Sequence, residues 1–299
     1  MRTFRFMRWS CLLIIIIGCG CKNSSETAVK FRQKLEISPE VKFDTHKING
    51  HNLLHVTYSW TTDQNFSPPT RPLRVKAHFT DQNGDVYWQD DHQPSPEITE
   101  WEAGTSYKYK RVVYIPLIPR ITEIKCLVGF FDPINPRMTY NINGELFRKD
   151  KYSVNSLTVS PPRRPEDLPG SKIKYGSGWY DLERNAVSKE QHRWMSGRAI
   201  CELVNPKRDA ELYCDCWIPT GQFEDASSVM ITINDNPIIK TQKFSEEFTI
   251  YESIPSNIFG DKDVVKMEIV TDQTYVPMNE GMGEDTRELG IMFKTLYFN

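Results

Sequence analysis

The 299-residue sequence has little net charge: 37 Lys and Arg stand against 39 Asp and Glu, a formal −2. No bulk basic field is present to draw the chain onto nucleic acid. Long apolar runs are missing too, since the longest, Cys11–Ile17, has seven residues. That is far short of the roughly 20 needed to cross hydrocarbon, so a spanning helix is not expected. Catalytic signatures are likewise absent. There is no Gly-x-Ser-x-Gly elbow, His-Glu-x-x-His pair or Walker loop, and Gly281-Met282-Gly283 lacks the third glycine of a dinucleotide fingerprint. Asp90-Asp91 would point to opposite faces of a strand, which does not suit paired-carboxylate hydrolysis. His46, His51, His55, His78, His92 and His192 show no metal-ligand spacing. Asp81-Gln82-Asn83-Gly84-Asp85 lacks the frame and closing Glu of a calcium loop. No metal, cofactor or catalysis is expected.

What is present begins with an address. Arg2, Arg5 and Arg8 precede the apolar Cys11–Ile17 run, with no acidic residue among positions 1–18, as in a signal peptide. Ile16-Ile17-Gly18-Cys19 then resembles the bacterial lipobox, with an aliphatic residue at −3 and a small one at −1. The resemblance implies that Cys19 becomes the mature N-terminus, diacylated with palmitate-type chains. Cys21 is a second, poorer match, because its −3 position is Gly18. Loss of residues 1–18 removes three of the 37 cations and none of the 39 acids, leaving −5. Residues 19–34 read as a lipidated tether, polar and without periodicity. The expected place is the bacterial cell envelope, anchored through lipid and on the outer membrane in a diderm cell.

No apolar 3.6-residue stripe outlasts two turns, whereas alternating, β-branched and aromatic segments abound. In the first half these are 52–60, 73–79, 85–89, 109–115, 124–131 and 147–159. Asn83-Gly84 offers the positive-φ pair of a type I′ hairpin turn. The second half repeats the pattern at 200–204, 211–218, 228–234, 244–251, 264–270 and 291–298. Between them, residues 160–172 hold four prolines and a glycine, which exclude helix interior and central strand. The expected architecture is all-β, with two tandem antiparallel β-sandwiches of jelly-roll or Ig-like type at 35–159 and 173–299.

Gly178-Trp179-Tyr180-Asp181-Leu182-Glu183, then Arg193-Trp194, and later Asp285-Thr286-Arg287-Glu288-Leu289-Gly290 resemble β-sandwich modules associated with bacterial cell-envelope glycosyltransferases and polysaccharide assembly. The first half resembles an accessory sandwich of such systems through Phe79–Gly84, Gln89-Asp90-Asp91, Trp101–Gly104 and Gly129–Pro133. The resemblance implies a non-catalytic lipoprotein whose partners are surface polysaccharide or envelope assembly proteins. By chemistry, Trp179, Tyr180 and Trp194 offer faces for sugar rings, while Glu183, Arg193, Asp285 and Arg287 can hydrogen-bond hydroxyls. They are candidate glycan-binding residues. The same residues could instead brace the fold as ion pairs and buried indoles, leaving a structural lipoprotein that binds protein, and a glycan-active enzyme is the third reading.

Four cysteines remain in the sandwiches. If Asn205–Ala210 is a hairpin loop, Cys201 faces Cys214 and a disulfide between them is a candidate, with two free buried thiols as the alternative. Cys214-Asp215-Cys216 lacks a second ligand pair for zinc, and Cys126 reads as core.

Overall fold

Alternation of buried and exposed side chains governs the strands. In the computed structural model, which describes residues 32–135, 137–164, 168, 172–185, 190–219, 221, 223, 226–244 and 246–299, no α-helix forms among the described residues. The signal segment, Cys19 and Cys21 lie outside them.

The first half contains β1 (Arg32–Lys34), β2 (Ile37–Phe43), β3 (Lys47–Asn49), β4 (Asn52–Thr62), β5 (Arg74–Thr80), β6 (Val86–Gln89), β7 (Ser106–Ile115), β8 (Thr122–Phe131), β9 (Thr139–Asn141), β10 (Glu145–Arg148) and β11 (Lys151–Ser160). A three-stranded sheet, β2-β4-β7, faces a six-stranded one, β10-β11-β8-β5-β6 with β3 beside β11. Leu54, Val56, Tyr58 and Trp60 of β4 meet Val75, Ala77 and Phe79 of β5 in one apolar core. Trp60 lies 4.8 Å from Phe130 by ring centroids, and Trp101 stacks on Tyr107 at 4.7 Å. Such aromatic pairs add to area burial, itself worth about 25 cal/mol per Å² of apolar surface. Pro39 is tolerated because β2 is an edge strand, pairing with β4 alone.

The second half contains β12 (Ile173–Tyr175), β13 (Trp179–Arg184), β14 (Gln191–Met195), β15 (Arg198–Val204), β16 (Ala210–Trp217), β17 (Ser227–Ile233), β18 (Asn236–Phe244), β19 (Glu247–Ile254), β20 (Val264–Thr271) and β21 (Met292–Phe298). Two five-stranded sheets, β12-β15-β20-β17-β18 and β13-β14-β21-β16-β19, enclose a separate core that includes Leu203, Leu212, Ile231, Met267 and Phe293. The all-β, tandem-sandwich expectation holds.

Several local expectations change. Arg32–Lys34, read as tether, pairs in parallel with β9. The Asn83-Gly84 hairpin forms, but Asp81 Oδ1 accepts from the backbone N–H groups of Asn83 and Asp85, and within Asn83-Gly84 only Gly84 has positive φ, at 89°. The two-residue positive-φ turn sits instead at Asn234-Asp235, φ 48° and 64°, where Ile233 pairs with Asn236. The strand expected at 244–251 is two strands, because the chain turns at Glu246, φ 34°, and changes sheet. Residues 205–210 also cross between sheets rather than closing a hairpin. Cys201 of β15 and Cys214 of β16 are therefore not cross-strand neighbours, and both thiols are buried and unbonded in the structure.

Outward-facing residues join the two sandwiches. Leu53, Tyr213 and Tyr297 form a buried cluster with Val112, Tyr114 and Tyr251 packed against it. Tyr114 stacks on Tyr213 at 6.2 Å, His51 donates to or accepts from Tyr114 Oη at 2.8 Å, and Arg74 reaches Glu247 at 3.6 Å.

Candidate functional site

The second-domain motif residues do come together. β13 and β14 are antiparallel neighbours, which sets Leu182 opposite Arg193 and Glu183 opposite His192. Arg287 donates from Nε to Asp285 Oδ1 at 3.0 Å and from Nη2 to Asp285 Oδ2 at 2.7 Å, while its Nη1 reaches Glu183 Oε1 at 2.5 Å. Its guanidinium also lies 5.1 Å from the Tyr180 ring centroid, and Tyr180 Oη donates to the Glu288 carbonyl at 2.8 Å. Hydrogen bonding from Arg287 holds the Asp285 carboxyl below the usual carboxylate range, and the same bonds raise the Arg287 pKa. Arg193 donates to the Tyr180 carbonyl and sits 4.3 Å over the Tyr175 ring. Glu183, Arg193, Asp285 and Arg287 are thus each engaged by the protein itself.

The aromatics divide. Trp194 is buried, with edge contacts to Trp217 at 5.8 Å and Tyr275 at 6.2 Å. Trp179 is wedged between Tyr175 and Phe293, 5.0 Å from each. Tyr180, half-buried like Trp179, lies beside half-buried charges, and its ring is covered on one side by Arg287. The arrangement fixes the opening segment of the second sandwich to the 285–289 loop.

A concavity lies on the first sandwich. Lys76 and His78 alternate with the core residues Val75, Ala77 and Phe79, so they project from the outer face of the six-stranded sheet. With Asp91, Phe131, Asp150 and the β1–β9 pair they line a cleft of about 520 Å³. Such a volume falls within the range of roughly 300–1,000 Å³ typical of small-ligand sites. Gly129, in register with Lys76, admits the close approach of the Asp150 backbone, since a Cβ there would stand 2.3 Å from the Asp150 carbonyl oxygen. Lys76 Nζ donates to Asp150 Oδ2 at 2.8 Å and lies 5.8 Å from the Phe131 ring centroid. Lys76 also holds the Asp150 carboxyl down against the opposing effect of burial. His78 Nδ1 is 2.8 Å from Lys151 Nζ, and because an ammonium only donates, Nδ1 is the acceptor and the ring proton sits on Nε2, 3.5 Å from Asp91 Oδ1. Asp91 Oδ1 in turn accepts the Ala77 N–H at 3.0 Å. An apolar wall beside fixed donors and acceptors suits a polyhydroxylated ligand.

The sequence reading missed this cleft. Its lining residues are scattered over six separated stretches between Arg32 and Asp150, and of these only Gln89-Asp90-Asp91 and Gly129–Pro133 overlap motifs named above. Among the described residues no cluster of His, Cys, Asp and Glu is placed to hold a metal ion.

The sequence matches no protein-family model and no curated protein. Among solved structures it is similar to the CBM22-1 xylan-binding domain of Paenibacillus barcinonensis Xyn10C, at 8% identity over 44% of this chain and 86% of that one, TM-score 0.29. The CBM22-1–CBM22-2 tandem of the same protein matches at 10% identity over 88% and 93%, TM-score 0.28. Bacteroides ovatus SGBP-B, in complex with a mixed-linkage heptasaccharide, matches at 8% over 88% and 53%, TM-score 0.25. Likeness this slight transfers no ligand and no residue role to the present chain.

Proposed function

We propose that the chain is a non-catalytic, lipid-anchored envelope protein that binds glycan in the cleft of its first sandwich, while the second-domain motif braces the fold. The observation that carries this reading is the cleft itself. Phe131 supplies an apolar face, and Lys76–Asp150 and His78–Asp91 supply polar groups already held in place, so a saccharide meets them with little reorganisation. Anchoring at Cys19 rests on the lipobox resemblance. Each acyl methylene buried contributes about 0.8 kcal/mol, so two or more chains hold a folded domain at a membrane.

The test is a glycan array probed with the full-length protein in detergent, beside Phe131→Ala. Retention that falls at least tenfold in Phe131→Ala and survives Arg287→Ala supports the cleft; the opposite pattern moves the site to Tyr180 and its neighbours. A protein-binding role without sugar is the second reading, favoured by the internal pairing of Glu183, Arg193, Asp285 and Arg287. No retained glycan at all would select it. Mass spectrometry of the mature N-terminus should find acyl mass on Cys19, and an unmodified terminus elsewhere would end the lipid claim.

A further inference from the structure

The cations of the first-sandwich cleft outnumber its carboxylates. Asp150 is taken by Lys76 at 2.8 Å, and Asp91 by His78 and the Ala77 N–H. That leaves Arg32 on β1 and Lys149 in the β10–β11 turn, both lining the cleft and neither with an ion pair or side-chain hydrogen bond among the described residues. Lys149 is held in a left-handed conformation, φ 55°, by that turn. Lys151, engaged with His78 Nδ1, adds a further positive charge behind the floor. This local excess stands on a chain whose formal charge is −2.

Resting on the glycan reading above, we infer that the cleft takes an acidic saccharide, one that bears a carboxylate on a sugar ring. The ring lies against Phe131, its hydroxyls meet Asp91 and Asp150, and its carboxylate is neutralised by Lys149 and Arg32. A neutral saccharide leaves the two cations without a partner, while a simple inorganic anion leaves most of a 520 Å³ cleft and its apolar wall unused. Attraction between surface charges weakens with salt, because the screening length falls from about 10 Å at 0.1 M to about 3 Å at 1 M.

The experiment is calorimetric titration of the full-length protein in detergent with oligomers of galacturonate, glucuronate and mannuronate, each beside its carboxyl-reduced neutral twin. The expected result is that at least one uronate binds tenfold or more tighter than its twin at low salt. The preference should shrink at 1 M salt and vanish in the double variant Arg32→Gln, Lys149→Gln, with an unchanged melting temperature. Equal binding of acid and twin would overturn the acidic specificity and leave the glycan reading standing. A preference that persists in the double variant would overturn these two cations as its source. Absence of binding by every acid and every twin would overturn both.

Discussion

Arg287 joins Asp285, two residues away, to Glu183 and the Tyr180 ring, both more than a hundred residues back in the chain. Replacing it by Ala leaves two carboxylates facing each other without a cation, and because the cluster is partly solvated the cost should be about 1–2 kcal/mol. Thermal melting should show Arg287→Ala lower by roughly 2–8 °C and Arg287→Lys between the two, since Lys cannot make the bidentate contact. Unaltered melting would remove the brace. Gly129 makes a different demand, since an added Cβ would meet a backbone oxygen rather than a movable side chain. Gly129→Ala should therefore destabilise the first sandwich and weaken the cleft together, measured by melting and by glycan retention. At this scale the sequence was informative where residues sit in short motifs, as at Glu183, Arg193 and Arg287. It was silent about Lys76, His78 and Lys149, whose meaning depends on which strands lie side by side.

Strands with strong alternation were legible, β4 and β5 most clearly, because period-2 burial is written in residues such as Leu54, Val56, Tyr58 and Trp60. Three-residue strands such as β1, with Arg32-Gln33-Lys34 all exposed, carry no such pattern and form because a partner edge is available. Turns misled in both directions. Asn83-Gly84 has the residues of a two-residue turn, yet Asp81 captures the neighbouring N–H groups and widens the loop, whereas Asn234-Asp235 makes the tighter turn without glycine. Asp tolerates the left-handed conformation and a β-branched residue does not, at a cost of about 1–2 kcal/mol. Asp235→Val should thus lower the melting temperature, and Asp235→Gly should not.

The two sandwiches share a polar and aromatic interface whose titration gives a pH signature. Asp215 projects from β16 beside Lys294 and Glu247 and faces Asp90 and Arg111 of the first sandwich. Burial pushes its carboxyl up to about 6. Between the unfolded value near 4 and about 6, the folded chain holds a proton that the unfolded chain has released. Stability from this group is therefore present at low pH and lost as pH rises through 6. Asp215→Asn should be more stable than the parent at pH 7.5, with the gap closing toward pH 4.5; a pH-independent gap in denaturant midpoints would contradict this. His92 acts with the opposite sign. Tyr109 Oη accepts from Trp60 Nε1 at 3.1 Å and donates to His92 Nε2 at 2.8 Å, so the buried ring is neutral with its proton on Nδ1, 2.6 Å from the Asp90 carbonyl oxygen. Burial takes its pKa down to about 4, and acidification from 6.5 toward 4 costs stability there. Two tandem sandwiches could be read from strand spacing, but neither this interface nor the cleft could, because both are made by outward faces that sequence alternation marks only as polar. Glycan, on the reading proposed above, binds the first sandwich and not the second-domain motif. The decisive measurement is hydrogen–deuterium exchange of the full-length protein with and without saturating oligouronate. Binding in the first sandwich should add protection at residues 74–80, 127–131 and 149–151; protection confined to 179–195 and 284–290 would place the ligand on the second-domain motif instead.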